Sequence, residues 1–191
     1  MEAVKRTGGL VHIYCGNGKG KTTASVGAAV RAAGNGKTVL IKRFLKNDHS
    51  GEVEALKQIP GITVLPCTRQ FGFSWKMKQE EKEEAKKYYG KELEKAWKMA
   101  LDQEIDMLVL DEAVGACTLG FIEEERLLEL IGSKPEKLEV ILTGRNPSET
   151  LLAVADYVTE MVMRAHPYTR GIPPEKGLNI SLQFYRQSDK V

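Results

Sequence analysis

Cysteine is scarce in this 191-residue chain, which has only Cys15, Cys67 and Cys117. Their number is odd, their spacings are wide and no CxxC pair exists, which argues against a disulfide framework and a cysteine zinc site and for reduced thiols. Histidine is equally sparse, and none of His12, His49 and His166 has a partner at metal-binding spacing. Neither charge dominates. Twenty-eight Lys and Arg against 26 Asp and Glu leave a formal net charge of +2, so there is no electrostatic case for nucleic acid as a partner. No apolar run approaches the roughly 18 to 20 residues of a membrane span. The first nine residues are basic but have no apolar stretch before Leu10, unlike a secretory signal. The expectation is a cytoplasmic protein with no membrane partner. At this length, one domain with a substantial core is expected.

What the chain does have is alternation. Short β-branched runs at 10–15, 38–44, 62–65, 107–110, 140–142 and 157–161 are separated by helical patterns at 21–33, 52–58, 77–103, 123–131 and 148–155. The runs are too short for membrane helices and too apolar for surface strands, as in a parallel sheet covered on both faces. Gly34 is a candidate stop for the first helix, and Pro147-Ser148-Glu149 a candidate start for the last. The alternation predicts an α/β fold with a mostly parallel sheet flanked by helices. In the longest helical stretch Ala85, Tyr89, Leu93, Ala96, Trp97, Ala100 and Leu101 form an apolar stripe. The charged residues between them read as a solvated face, and Trp97 reads as core. His12 reads as a satisfied core or edge residue, Cys15 as a small strand residue, and 47–51 as a turn.

The first strand runs into Gly16-Asn17-Gly18-Lys19-Gly20-Lys21-Thr22-Thr23, and a helix follows, which is the setting of a phosphate loop. Glycines let backbone amides approach phosphate oxygens, and the helix adds the partial positive charge of its N-terminus. Lys21 supplies an ammonium to the phosphates, and the Thr22 hydroxyl can ligate magnesium. In the general pattern G-x-x-x-x-G-K-[ST] the first glycine would stand at Cys15. Here it is Gly16, so the loop is one residue tighter. Met107-Leu108-Val109-Leu110 ends in Asp111-Glu112, acids suited to completing a magnesium shell beside a phosphate loop. These residues predict a nucleoside triphosphate bound with magnesium. They leave open an ordinary phosphate-loop ATPase or kinase and a non-catalytic nucleotide-dependent binding module.

With these motifs in place, the chain resembles the ATP:corrinoid adenosyltransferases, the cob(I)alamin adenosyltransferases of coenzyme B12 synthesis and salvage. The resemblance rests on five elements in order: the tight loop from Gly16 to Ala24; Gly72-Phe73-Ser74-Trp75; Val109-Leu110-Asp111-Glu112; Ile141-Leu142-Thr143-Gly144-Arg145-Asn146-Pro147 followed by Ala155-Asp156-Tyr157-Val158-Thr159-Glu160-Met161; and His166-Pro167-Tyr168 with Gly171 and Gly177. Together they span about 9–179, leaving a tail at 180–191 whose Leu182, Phe184 and Tyr185 partly alternate. In one departure, Ala165 stands where the family often has a basic residue.

The resemblance implies a single phosphate-loop, RecA-like domain that transfers the 5′-deoxyadenosyl group of ATP to a cob(I) corrinoid and releases triphosphate. It implies that Gly16, Asn17, Gly18, Lys19, Gly20, Lys21, Thr22, Thr23 and Arg31 hold the nucleotide, and that Thr22 with Asp111 or Glu112 holds Mg2+. It further implies that Phe73 and Trp75 displace the lower axial ligand of the corrinoid, giving a four-coordinate cobalt that accepts an electron more readily. From the residues alone, these two aromatics could equally anchor a long loop. A flavodoxin-like electron donor and a homodimer are also implied.

Overall fold

The structure, a computed structural model, describes residues 8–46, 50–72 and 74–172. Phe73, His49 with most of its turn, Gly177 and the 180–191 tail lie outside these residues. Six strands, β1 (Val11–Cys15), β2 (Val39–Arg43), β3 (Ile62–Val64), β4 (Met107–Asp111), β5 (Glu139–Thr143) and β6 (Tyr157–Glu160), alternate with helices. The helices are α1 (Lys21–Gly34), α2 (Gly51–Leu56), α3 (Gln79–Asp102), α4 (Ala113–Thr118), α5 (Glu124–Gly132) and α6 (Glu149–Ala153). The strands form one sheet in the order β3-β2-β4-β5-β1-β6, and all their pairings are parallel. The expected α/β architecture is therefore present. Parallel pairing puts the carboxyl ends of all six strands along one edge, where open α/β sheets bind ligands.

Each central strand alternates its side chains between two cores. Val11, Ile13, Leu40, Leu108, Leu110, Val140 and Leu142 pack with Ala85, Tyr89, Leu93 and Trp97 of α3, Leu127 of α5 and Leu151 of α6. Val39, Ile41, Val109 and Ile141 pack on the opposite face with Ala29 of α1 and Leu56 of α2. The stripe predicted for the long helix is the buried face of α3, except that Leu101 is exposed.

Some expectations need correction. All four residues of β6 are exposed, and β6 lies at the edge of the sheet. β2 is fully buried yet contains Lys42 and Arg43, so its apolar reading holds only for its first three residues. Lys42 ion-pairs with Glu92 of α3 and donates to the Pro66 carbonyl. The reading of Gly34 as the stop of the first helix holds, since α1 ends there; the left-handed residue that follows is Gly36, with φ 75°. The sequence reading also passed over α4, whose six residues are too few to show a period.

Candidate functional site

Glycine conformation and close packing shape the loop after β1. Gly20, at φ 122°, caps α1 with a backbone most residues avoid. Gly16 and Gly18 have another constraint: a Cβ on either would lie 2.5 or 2.6 Å from the Met161 carbonyl oxygen. The chain leaving β6 passes directly against the loop, the Gly18 amide donates to Met161 O (2.6 Å), and Met163 N donates to Asn17 Oδ1 (3.0 Å). The Gly18 amide is thus held by the segment leaving β6, whereas a simple cradle would turn it inward. Lys19 and Thr23 are exposed on the loop and on the first turn of α1.

Lys21 is 8% exposed, and its ammonium donates to the carbonyls of Gly16 (2.7 Å) and Gly18 (2.9 Å). Burial lowers its pKa, Glu112 opposes the shift, and the nearby positive charges of Arg145 and Lys46 reinforce it. One residue on, Thr22 Oγ1 donates to Asp111 Oδ1 at 2.9 Å, which joins the start of α1 to the end of β4 across 89 residues of sequence.

Asp111 is 1% exposed, and its carboxylate has three side-chain partners. Besides Thr22, Thr143 Oγ1 at the end of β5 donates to Oδ1 (2.7 Å), and Lys46 Nζ donates to Oδ2 (2.6 Å). Burial pushes the Asp111 pKa up, but the Lys46 charge and the hydrogen bonds outweigh it, and the acid sits below its usual range. Glu112 shows the opposite balance. Burial raises its carboxyl, Asp111 adds to the rise, and Lys46, Lys21 and Arg145 oppose it. The Glu112 backbone is left-handed, at φ 61°, and its amide donates to Thr143 Oγ1 (2.8 Å). Two adjacent acids of one strand exit therefore differ in proton affinity.

Sequence reading gave no role to Lys46, Thr143 or Arg145. Lys46 also donates to Thr22 Oγ1 (2.7 Å), so its ammonium bridges the threonine and the aspartate. A lysine just past a strand gives no local sign of this, because the contact depends on β2 pairing with β4. Thr143 and Arg145 fall within a recognised motif, but only the sheet brings the Thr143 hydroxyl to Asp111. The oxygens of Thr22, Asp111 and Glu112 are hard donors of the kind magnesium prefers, and Thr22 and Asp111 already share a cationic partner in Lys46. Among the described residues no three His, Cys, Asp or Glu gather into a further metal cluster.

Two further candidates are Arg31 and Trp75. Arg31 is exposed near the far end of α1, ten residues beyond Lys21 and hence about 15 Å along the helix. Trp75 is 48% exposed on the short turn Ser74–Lys76. The segment before this turn is tied down by others. Cys67 Sγ donates to Arg43 O, Thr68 Oγ1 meets Tyr88 OH at 3.0 Å, and Phe71 packs on Tyr88 and Tyr89 with ring centroids 5.5 Å away in each case. Phe71, outside the motifs read in the sequence, is therefore one aromatic anchor of this segment. His166 precedes the turn Pro167–Arg170, and its carbonyl accepts from the Thr169 amide and hydroxyl. His12 pairs with Glu139 at 2.5 Å and lies against Tyr157, a satisfied histidine on a strand paired on both sides rather than at an edge.

Residues 7–180 match the model of the family described as ATP:corrinoid adenosyltransferase BtuR/CobO/CobP. A corrinoid adenosyltransferase of Pseudomonas aeruginosa is 32% identical over 175 residues, covering 89% of this chain and 83% of the relative. Another, from a Sinorhizobium species, is 33% identical over 172 residues, covering 89% and 79%. Among solved structures, EssC (ATPases 2 and 3) from Geobacillus thermodenitrificans aligns with a TM-score of 0.48 at 14% identity. That alignment covers 90% of this chain but spans only 36% of EssC.

Proposed function

The chain belongs to the ATP:corrinoid adenosyltransferase family, and from that premise we propose that it transfers the 5′-deoxyadenosyl group of ATP to the cobalt of a cob(I) corrinoid. The cobalt lone pair attacks C5′ of the ribose and forms the cobalt–carbon bond. The bond from C5′ to the α-phosphate oxygen breaks, and inorganic triphosphate leaves with the electron pair. Cob(I) is already a strong nucleophile, so the protein has two tasks: holding C5′ in line and stabilising charge on the leaving triphosphate.

The observation that best supports this reading is the Thr22–Asp111 contact, at 2.9 Å, beside the loop that carries Lys21. In this reading the loop from Gly16 to Gly20, with Lys21 and the first turn of α1, grips the polyphosphate. Lys21 exchanges its bonds to the Gly16 and Gly18 carbonyls for phosphate oxygens. Thr22 and Asp111, with Glu112 beside them, would hold Mg2+, which when bound spreads the charge of the departing triphosphate. Arg31 is assigned the part of the nucleotide farther from the loop, in keeping with its distance along α1.

Trp75, and by family resemblance Phe73, are assigned to the lower face of the corrinoid. The exposed indole of Trp75 supports this assignment. Cob(I) must be supplied by a one-electron donor, for which a flavodoxin-like protein is the proposed partner. A homodimer, a cytoplasmic location, one domain over 1–191 and a place in adenosylcobalamin synthesis or salvage complete the proposal.

The test is to incubate the protein with ATP, magnesium and chemically reduced corrinoid and then identify the phosphate product. Triphosphate with a new cobalt–carbon bond is expected. ADP with phosphate would instead mean phosphoryl chemistry, and nucleotide bound without turnover would mean a binding module.

A further inference from the structure

Lys46 has no assigned part in this reaction, yet it is the cation closest to the proposed metal ligands. Its ammonium lies 2.6 Å from Asp111 Oδ2 and 2.7 Å from Thr22 Oγ1. It is only 20% exposed, and its chain arrives from just beyond β2, the strand paired with β4. A divalent cation bound to the same two oxygens would meet this ammonium at close range. Two cations this near each other in a half-buried site repel strongly, so they cannot share the oxygens. The flexible four-carbon stem of lysine lets its charge move without moving the backbone.

We propose that Lys46 is a positioning residue that holds Thr22 and Asp111 in register, yields their oxygens to the divalent metal, and moves its ammonium onto the triphosphate. The proposal rests on the reading above that these two residues hold the metal. It makes metal and triphosphate binding cooperative. Metal alone must displace a bonded ammonium, whereas metal arriving with polyphosphate gives that ammonium a new anionic partner.

The experiment measures Mn2+ binding to the full chain by electron paramagnetic resonance of the free ion, with and without inorganic tripolyphosphate. No corrinoid is involved. Without tripolyphosphate, Lys46→Met should bind Mn2+ at least about tenfold more tightly than the wild type. Lys46→Arg, which keeps the charge, should not. At saturating Mn2+, Lys46→Met should bind tripolyphosphate several-fold more weakly. Thermal melts identify any variant that fails to fold, and Lys46→Gln then replaces Lys46→Met.

Unchanged Mn2+ affinity in the neutral variant would overturn the displacement, and unchanged tripolyphosphate affinity would overturn the movement onto phosphate. Asp111→Asn separates the two levels. If it weakens Mn2+·tripolyphosphate binding while Lys46→Met leaves Mn2+ affinity unchanged, the Lys46 proposal alone fails. If it has no effect on that binding, the metal assignment itself is wrong and the proposal falls with it.

Discussion

At the scale of single residues, the site is organised by where buried charge is compensated. Lys21 is held by two carbonyls of its own loop, so its ammonium is already aimed into the turn proposed to receive the polyphosphate. Lys21→Ala should lower turnover by about 10²-fold or more, in line with losing one preorganised electrostatic contact to the leaving group. Steady-state rates on protein shown by circular dichroism to be folded would check this, and a normal rate would remove Lys21 from the mechanism. Trp75 makes a different case, because its exposure means truncation costs the fold little. Trp75→Ala should leave ATP binding intact while suppressing the four-coordinate cob(II) signal in electron paramagnetic resonance. An unchanged signal would take Trp75 out of the corrinoid site.

At the scale of elements, two local ties fasten segments on either side of the sheet's strands. Asp106, just before β4, accepts from the Thr38 amide (2.9 Å), the Thr38 hydroxyl and Lys37, and so fastens the entrances of β2 and β4. The Thr38 amide bond, followed by Lys37, holds its carboxyl below the usual range. For an acid whose folded pKa is depressed, the stabilisation is complete above its unfolded pKa of about 4 and is lost as pH falls through the lower folded value. Asp106→Asn should therefore cost roughly 1 kcal/mol near neutrality, a figure reduced for its partial exposure. Thermal melts from pH 7 down to 3 should show the difference from wild type narrowing below about pH 4. The second tie is Phe71, which docks the segment before the Ser74–Lys76 turn on Tyr88 and Tyr89 of α3. Phe71→Ala should speed hydrogen exchange in this loop and lower corrinoid-dependent turnover, while ATP affinity stays within about twofold. Exchange confined to its wild-type rate would show that the loop is held elsewhere.

At the scale of the whole molecule, two cores hold the sheet, and the proposed site lies along its carboxyl edge. Because α1 begins in the phosphate loop and packs by Ala29 on the sheet, nucleotide binding is linked to global stability. At 100 times its dissociation constant, Mg·ATP should stabilise the protein by about 2.7 kcal/mol. For a chain of this size, that is a rise in melting temperature of about 5 to 10 °C. A thermal shift titration would measure it, and the rise should shrink sharply in Lys21→Ala.

What the sequence determined by itself was whatever leaves a local, periodic trace. Strand–helix alternation, the turn chemistry of Gly20 and the apolar stripe of α3 are written in contiguous residues, so the α/β fold and the loop could be read without coordinates. The acids Asp111 and Glu112 were legible for the same reason, since they close an apolar run. Tertiary structure alone decided which charges meet. Lys46 reaches Asp111 because β2 pairs with β4, Thr143 reaches it because β5 lies on the other side, and Gly18 is forced to be glycine by a carbonyl from beyond β6. It also decided that β6 is exposed and that Phe71 packs on the tyrosines of α3. Burial and partnership belong to strand order, and strand order is set by packing between segments far apart in sequence, which no single segment encodes.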